Sequence, residues 1–475
     1  MLNCTPEEAA PSAHIGCLCH RPEIRSLTRR LGREMSRRGF VAASVSAAAL
    51  PALAQTAPRP IVFTNFRLFD GNAASLRDGL RLRVEGGRIA ALASGSPAPP
   101  EGAQLIDCGG RTLMPGLIDA HWHSLFAAIP LPALLTADIG YIQLVAAAEA
   151  ERTLMRGFTT VRDAGGPSFA LKQAIDEGLV PGPRIYPSGA MITASGGHGD
   201  FRPLSDFPSA GGGTTATERT GALGIADGPD EMRRRVREQL LQGASQIKLT
   251  GSGGVSTPRS PLDALTLTEA EIRSAVEAAA DWGTYVMVHA YTPASVTRAL
   301  DAGVRCIEHG HLMDEATAAR LAEKGAWLST QPFGDGTSIP QSEQGARDAE
   351  RVHAGTDRIY ALAKRLGIKT AFGTDLLFSA ALTPQQGMML TRLTRWYSPA
   401  EALRMATATN GELMALSGDR NPYQGKLGVI EEGALADLLL VDGNPLENLS
   451  LIADPARNLR VIMKDGRIHK NTLAA

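Results

Sequence analysis

The sequence predicts an α/β fold: a (β/α)8 TIM-like barrel over residues 116–417, with a small composite β-sandwich built from 55–115 and 418–475. Three observations predict it. The chain has 475 residues, beyond the roughly 250–300 at which one hydrophobic core stops growing, so a large unit and a smaller one are expected. The two ends share one texture, short apolar runs cut by Asp-Gly and Gly-Gly pairs, while the middle alternates strand-like with helical segments. No Gly-x-Gly-x-x-Gly opens a helix in that alternation, which favours a barrel over a doubly wound sheet.

The first 54 residues stand outside the fold. Ser36-Arg37-Arg38-Gly39-Phe40-Val41 leads into an Ala-rich apolar run ending at Ala52-Leu53-Ala54, which reads as a twin-arginine-like export signal cleaved after Ala54. The run from Phe40 to Ala54 is 15 residues and contains Pro51, short of the ~20 a membrane span needs. Export to a bacterial periplasm is therefore expected, with no membrane anchor in the mature form. Met35 directly precedes the signal, so residues 1–34 read as an upstream extension or a long leading region. Cys4, Cys17 and Cys19 all lie there, and only Cys108 and Cys306 remain beyond it, so no disulfide framework is expected.

From Ile61 to about Gly110, runs such as Ile61-Val62-Phe63 and Leu80-Arg81-Leu82-Arg83-Val84 are separated by Asp70-Gly71, Asp78-Gly79 and Gly86-Gly87, the punctuation of strands and hairpins. The C-terminus repeats the style in 436–443 and 459–468, around Asp442-Gly443 and Asp465-Gly466. Between them, strands are expected at Thr159–Asp163, Gln246–Leu249, Tyr285–His289 and Lys369–Gly373, and helices at Asp230–Leu241, Thr268–Trp282 and Ser398–Ala406. The longest loop, about 195–228, is rich in Gly, Ser and Thr and is expected over the barrel mouth. That loop and 331–345 are expected to wall the pocket.

Composition narrows the function. With 44% hydrophobic and 20% charged residues the chain is globular, and 48 basic against 49 acidic side chains leave a formal charge of -1. Nothing in that balance attracts nucleic acid or an anionic membrane, so a small-molecule partner is expected.

The chemistry sits at strand ends. His121-Trp122-His123 follows Leu117-Ile118-Asp119, and residues i and i+2 of a strand point the same way, so both imidazoles can reach one metal ion. Alone, two histidines on a packed strand would be as good a reading. However, six of the 10 histidines, His121, His123, His198, His289, His309 and His311, end apparent strands or follow them, where a barrel carries its active site. Asp375 stands where Phe372-Gly373-Thr374 runs into a loop, a position equally suited to a turn or cap. Lys248 lies inside an apolar strand, where a lone ammonium is costly. It either snorkels, pairs with an acid, or is carboxylated by carbon dioxide to an anionic carbamate.

These motifs resemble the amidohydrolase superfamily, in its imidazolonepropionase-like and prolidase-like branch. The resemblance is carried by 114–123, 159–163, Lys248 before Gly251-Ser252-Gly253-Gly254-Val255, Val288-His289-Ala290-Tyr291, Ile307-Glu308-His309-Gly310-His311, Gly373-Thr374-Asp375 and Gly433–Leu438. It implies a barrel with a composite β-sandwich and two divalent metal ions, zinc in most members. By that resemblance, His121, His123 and Asp375 hold one metal, carboxylated Lys248 bridges, and His289 and His309 hold the other. A hydroxide shared by the metals would attack the carbonyl, with Asp375 moving the proton to the leaving nitrogen. His198, in Gly196-Gly197-His198-Gly199-Asp200, would bind the carbonyl oxygen or brace its loop. Tyr291 would bind a substrate carboxylate or pack, with backbone amides of Gly253, Gly254 and Val255 as further donors. Asp163 and His311 would orient ligands.

The implied reaction is hydrolysis of the amide of dipeptides, N-acyl amino acids or ochratoxin-like amides. The alternatives are cyclic-amide (imidazolone-type), carbamate or urea hydrolysis, and a noncatalytic scaffold, against which the complete ligand set speaks. The resemblance also suggests a homo-oligomer.

Overall fold

The computed structural model describes residues 59–95, 98–207 and 214–473, all within one compact unit, 58–475. The export segment expected over 1–54 lies outside the described residues, as do Cys4, Cys17 and Cys19. Cys108 and Cys306 are free and buried. No helix among the described residues is long and apolar enough to cross a membrane.

Two sheets use strands from the ends of this unit. One has the order Arg88–Ser94, Leu80–Glu85, Ile61–Thr64, Gln104–Asp107; the other has the order Arg467–Asn471, Leu459–Lys464, Leu438–Val441, Thr112–Pro115, Arg67–Leu68. The second joins the chain's two ends directly, with Leu438–Val441 antiparallel to Thr112–Pro115 and Leu439 opposite Met114. Phe63, Leu82 and Ile106 of the first sheet share a core with Leu68, Leu113, Leu438 and Val461 of the second. Among the described residues, only Gly86-Gly87 and Asp465-Gly466 form two-residue hairpin turns, with φ of 54° and 80°, and 55° and 70°, the left-handed pair that a strand-matched tight turn demands. Asp70-Gly71 serves a different purpose: Asp70 Oδ1 accepts the Asn72 and Ala73 amides at 2.9 Å.

The middle of the chain forms two parallel sheets. Three strands run Leu117–Trp122, Phe158–Asp163, Arg184–Tyr186. Seven run Leu223–Ile225, Met191–Thr193, Ile247–Thr250, Val286–Ala290, Cys306–His309, Trp327–Thr330, Thr370–Phe372. The central strands are buried along their whole length, as in parallel sheets covered on both faces. Buried carboxamides tie the two sheets together. Asn410 Nδ2 donates to Ile118 O and Phe372 O, each at 2.7 Å, and Gln246 Nε2 donates to Tyr186 O at 2.8 Å and Asp163 O at 3.3 Å.

Helices fill the intervals and begin where their caps stand: Thr268 with Glu271 opens Glu269–Ala280, and Ser398 with Glu401 opens Pro399–Arg404, each as a reciprocal capping box. The helix expected to end at Ala406 does not stop there. A π-helical turn, Met405–Thr409, carries it into Asn410–Ala415, and Asn410, immediately after the turn, is the residue that bridges the first and last strands. The 195–228 segment is less loop-like than expected, because it holds a short helix, Ala216–Arg219, and the edge strand Leu223–Ile225.

Candidate metal centre and active site

One cavity opens where these parallel strands end, and His121, His123, Lys248, His289, His309 and Asp375 all line it, with His198 and Tyr291. His121 and His123 leave the first strand on the same side. Their Nε2 atoms lie 3.3 and 3.2 Å from Asp375 Oδ1, and the three groups could hold one metal ion, with ligand atoms within 4.8 Å of one another. Two features bring Asp375 there. A Cβ at Gly373 would stand 2.5 Å from His121 Cβ and 2.7 Å from His121 N, so only glycine lets the last strand close on the first. Buried Asp119 then accepts the Thr374 hydroxyl at 2.7 Å and the Thr374 and His121 amides at 3.1 Å. Asp375 and His309 both occupy left-handed backbone, φ 53° and 77°, a strained conformation for non-glycine residues that is common at functional sites.

Each of the four histidines from the expected ligand set has one ring nitrogen committed to a protein acceptor. His121 Nδ1 meets Glu308 Oε2 at 2.7 Å, His123 Nδ1 meets Gly165 O at 3.1 Å, His289 Nε2 meets Gly253 O at 3.0 Å, and His309 Nδ1 meets Gln331 Oε1 at 2.7 Å. A nitrogen facing an oxygen acceptor carries the proton, which leaves the other nitrogen a bare lone pair. Burial pushes His289 and His309 well below the usual imidazole range, so both are neutral. At the cluster itself, His121 Nε2 is buried without a hydrogen-bond partner. Burial pushes the Asp375 carboxyl up, but the electrostatic influence of His121 beside it more than reverses this and holds it well below the ordinary range. Two lone pairs pointing at one carboxylate oxygen repel unless positive charge lies between them, and the donor set therefore fits a divalent cation.

Lys248 is 2% exposed and lines the cavity. No described residue gives its Nζ a hydrogen bond or an ion pair, so it neither snorkels nor pairs with an acid. Burial pushes its pKa down, towards the neutral amine.

The remaining expected residues divide. His198 stacks on His289 at 4.3 Å between ring centroids, with Ser256 Oγ 3.2 Å from Nε2 and Ser260 Oγ 3.5 Å from Nδ1; burial takes its pKa down to about 3. Tyr291 packs edge-on against His289 and stacks on His309. Asp163 braces the turn after His123 by accepting the Ser124 amide at 2.9 Å and the Gly165 amide at 3.1 Å. His311 Nε2 donates to Gln331 O at 2.9 Å, steadying the partner of His309. The donor role expected of Gly253 and Gly254 is corrected. Their amides already bond Ala264 O at 3.0 Å and Ser260 O at 3.3 Å, and Gly253 acts through its carbonyl on His289 instead; Val255 lines the cavity.

Four residues that sequence reasoning passed over hold the ligands. Glu308, besides its bond to His121, accepts from Arg162 Nη2 at 2.6 Å, both side chains being fully buried. Gln331 and Asp119 complete the set. Glu308 and Arg162 carried a signal, since each is a charge inside an apolar strand, the oddity that singled out Lys248. Gln331 follows Trp327–Thr330 and carried none.

Comparison with known proteins follows the same outline. The amidohydrolase family model matches residues 112–469. Ochratoxinase from Aspergillus niger is 27% identical, over 99% of this chain and 96% of its own length. Among solved structures, an amidohydrolase superposes with a TM-score of 0.80 at 39% identity, and a prolidase complexed with N-methylphosphonate-L-proline with 0.78 at 34%; each covers 87% of this chain and 100% of its own.

Proposed function

Because the chain belongs to the amidohydrolase family, in its imidazolonepropionase-like and prolidase-like branch, we propose that it is a binuclear metal-dependent hydrolase that cleaves the amide of dipeptides, N-acyl amino acids or ochratoxin-like amides. On this reading the two parallel sheets are arcs of one closed (β/α)8 barrel, and the antiparallel sheets form one sandwich. The carbamate is made when the neutral amine of Lys248 adds to carbon dioxide and releases a proton, a reaction that its unpartnered burial favours.

The observation that carries the reading is the set of four histidines with one nitrogen tied and the other free beside Asp375 and Lys248. His121, His123 and Asp375 would hold one ion, His289 and His309 the other, and carboxylated Lys248 both. When bound, two divalent ions, zinc by the family's habit, would lower the pKa of water in the site towards ~7 and polarise the scissile carbonyl. Asp375, a carboxylate throughout the neutral range, takes the proton of the attacking water and passes it to the leaving nitrogen. His198 stays neutral and donates to the developing oxyanion. Tyr291, whose phenol burial holds well above its ordinary pKa, donates to a substrate carboxylate.

The test is release of free amino acid from dipeptides, N-acyl amino acids and ochratoxin A by zinc-loaded protein, beside Lys248→Ala. Cleavage requiring a free α-carboxylate is expected, with the variant losing bound metal and turnover falling by orders of magnitude. A variant with parental metal content and rate would remove the carbamate from the mechanism.

A further inference from the structure

Away from the metal centre, the hairpin of Leu459–Lys464 and Arg467–Asn471 borders a cleft of about 470 Å3. Part of its lining is the segment that leads into the strand Arg184–Tyr186, so the cleft stands where a parallel strand begins, whereas the histidines of the site stand where strands end. Lys464 and Arg467 oppose each other directly in the hairpin, and His469, two residues on, points to the same side as Arg467. All three line the cleft.

Lys464 is 8% exposed, yet no described residue gives its Nζ a hydrogen bond or an ion pair. A nearly buried ammonium without a partner is costly, the same oddity that singled out Lys248. Arg467 and His469 likewise have no hydrogen bond or ion pair to any described residue. The two carboxylates that line the cleft are already engaged. Asp176 Oδ1 accepts the Tyr423 hydroxyl at 2.9 Å and its Oδ2 pairs with Lys172, while Asp465 Oδ1 accepts Arg184 Nη2 at 2.9 Å. Arg184 is also held by both oxygens of Asp437, at 2.9 and 3.2 Å. These pairs close on themselves and leave the charges of Lys464 and Arg467 without a partner. The remaining side chains of the lining, Ile175, Val180, Pro181, Pro422 and the Tyr423 ring, are apolar.

We propose that this cleft is a second ligand site, separate from the metal centre, which binds the phosphate of a small phosphomonoester and seats the ester's apolar part on Ile175, Val180 and Pro181. A phosphomonoester carries about 1.5–2 negative charges at neutral pH and three strong acceptor oxygens, which match two unpaired cations and an imidazole N–H. A carboxylate offers one charge and two oxygens. Burial pushes the Lys464 pKa down, and an anion held beside it restores the charged form.

The test is calorimetric titration of the full chain with phenyl phosphate, inorganic phosphate, benzoate and benzyl alcohol, beside Lys464→Met and Arg467→Gln. Phenyl phosphate is expected to bind saturably and about tenfold or more tighter than inorganic phosphate, which lacks the apolar part, or benzoate, which lacks the second charge. Benzyl alcohol should not bind. Each substitution should weaken phenyl phosphate about tenfold or more. Lys464→Met keeps the buried stem and Arg467 is exposed, so both variants should unfold at the parental Tm, which a thermal scan checks. No saturable binding, an equal affinity for any of the other three compounds, or an unchanged affinity in either folded variant, as ligation at the metal centre would give, overturns the site and leaves the hydrolase reading standing.

Discussion

Glu308→Gln isolates what holds His121 in place. The carboxylate stands between two buried donors, His121 Nδ1 at 2.7 Å and Arg162 Nη2 at 2.6 Å, and neither Glu308 nor Arg162 is exposed to solvent. Glutamine keeps the volume but has one acceptor oxygen, so its amide nitrogen must face either the guanidinium or the imidazole N–H, donor against donor. Arg162 keeps its contacts to Ala120 O at 2.6 Å and Tyr285 Oη at 3.1 Å, but it loses its only carboxylate partner among the described residues. Removing one member of a buried ion pair costs about 3–5 kcal/mol. For a chain of this size that lowers Tm by roughly 3–6 °C, since unfolding entropy scales with length. At the metal centre the loss of a charged acceptor behind a histidine ligand costs about 10- to 100-fold in affinity. Zinc competition against a chromophoric chelator reads the second effect, and a thermal scan of the metal-free protein reads the first. A folded variant with affinity within about threefold of the parent and an unchanged Tm would refute the assignment of Glu308 as the group that orients His121.

Two further outcomes follow from the same geometry. Gly373→Ala drives a methyl group into the His121 backbone and should destabilise the protein by about 1–3 kcal/mol, with zinc binding weakened as His121 is pushed from Asp375; chemical denaturation and metal titration check the two parts. For pH, His198 is held neutral down to about 3, whereas an unfolded imidazole titrates near 6.5. Between those values the unfolded chain binds the extra proton, so stability contributed at this site is present above about pH 6.5 and falls as pH drops, by up to about 1.4 kcal/mol per unit. His198→Gln should flatten the curve of metal-free stability against pH between about 4 and 6, and an unaltered slope in urea denaturation would show that His198 is protonated in the folded state.

Much of the site was legible in the sequence because its residues break local rules. A His-x-His leaving a strand and a lysine inside Ile247–Leu249 each conflict with the apolar run around them, whereas Asp375, at a strand end, gains its meaning only beside them; backbone periodicity alone puts His121 and His123 on one side. The texture change between the ends and the middle likewise follows from periods of two and 3.6 residues, which any window of chain displays. What tertiary structure decided is whatever depends on partners distant along the chain. Which nitrogen of each histidine is free was set by Glu308, Gly165, Gly253 and Gln331, none of them a sequence neighbour of the histidine it fixes; Glu308, although adjacent to His309, serves His121 on the other parallel sheet. The amides of Gly253 and Gly254, which look like free donors in a glycine-rich loop, are spent within that loop because its fold brings Ser260 and Ala264 against them. Asn410 and Gln246, ordinary polar residues in sequence, become the stitches between sheets, since a buried carboxamide is stable only where several backbone groups converge on it, and only the folded chain brings those groups together.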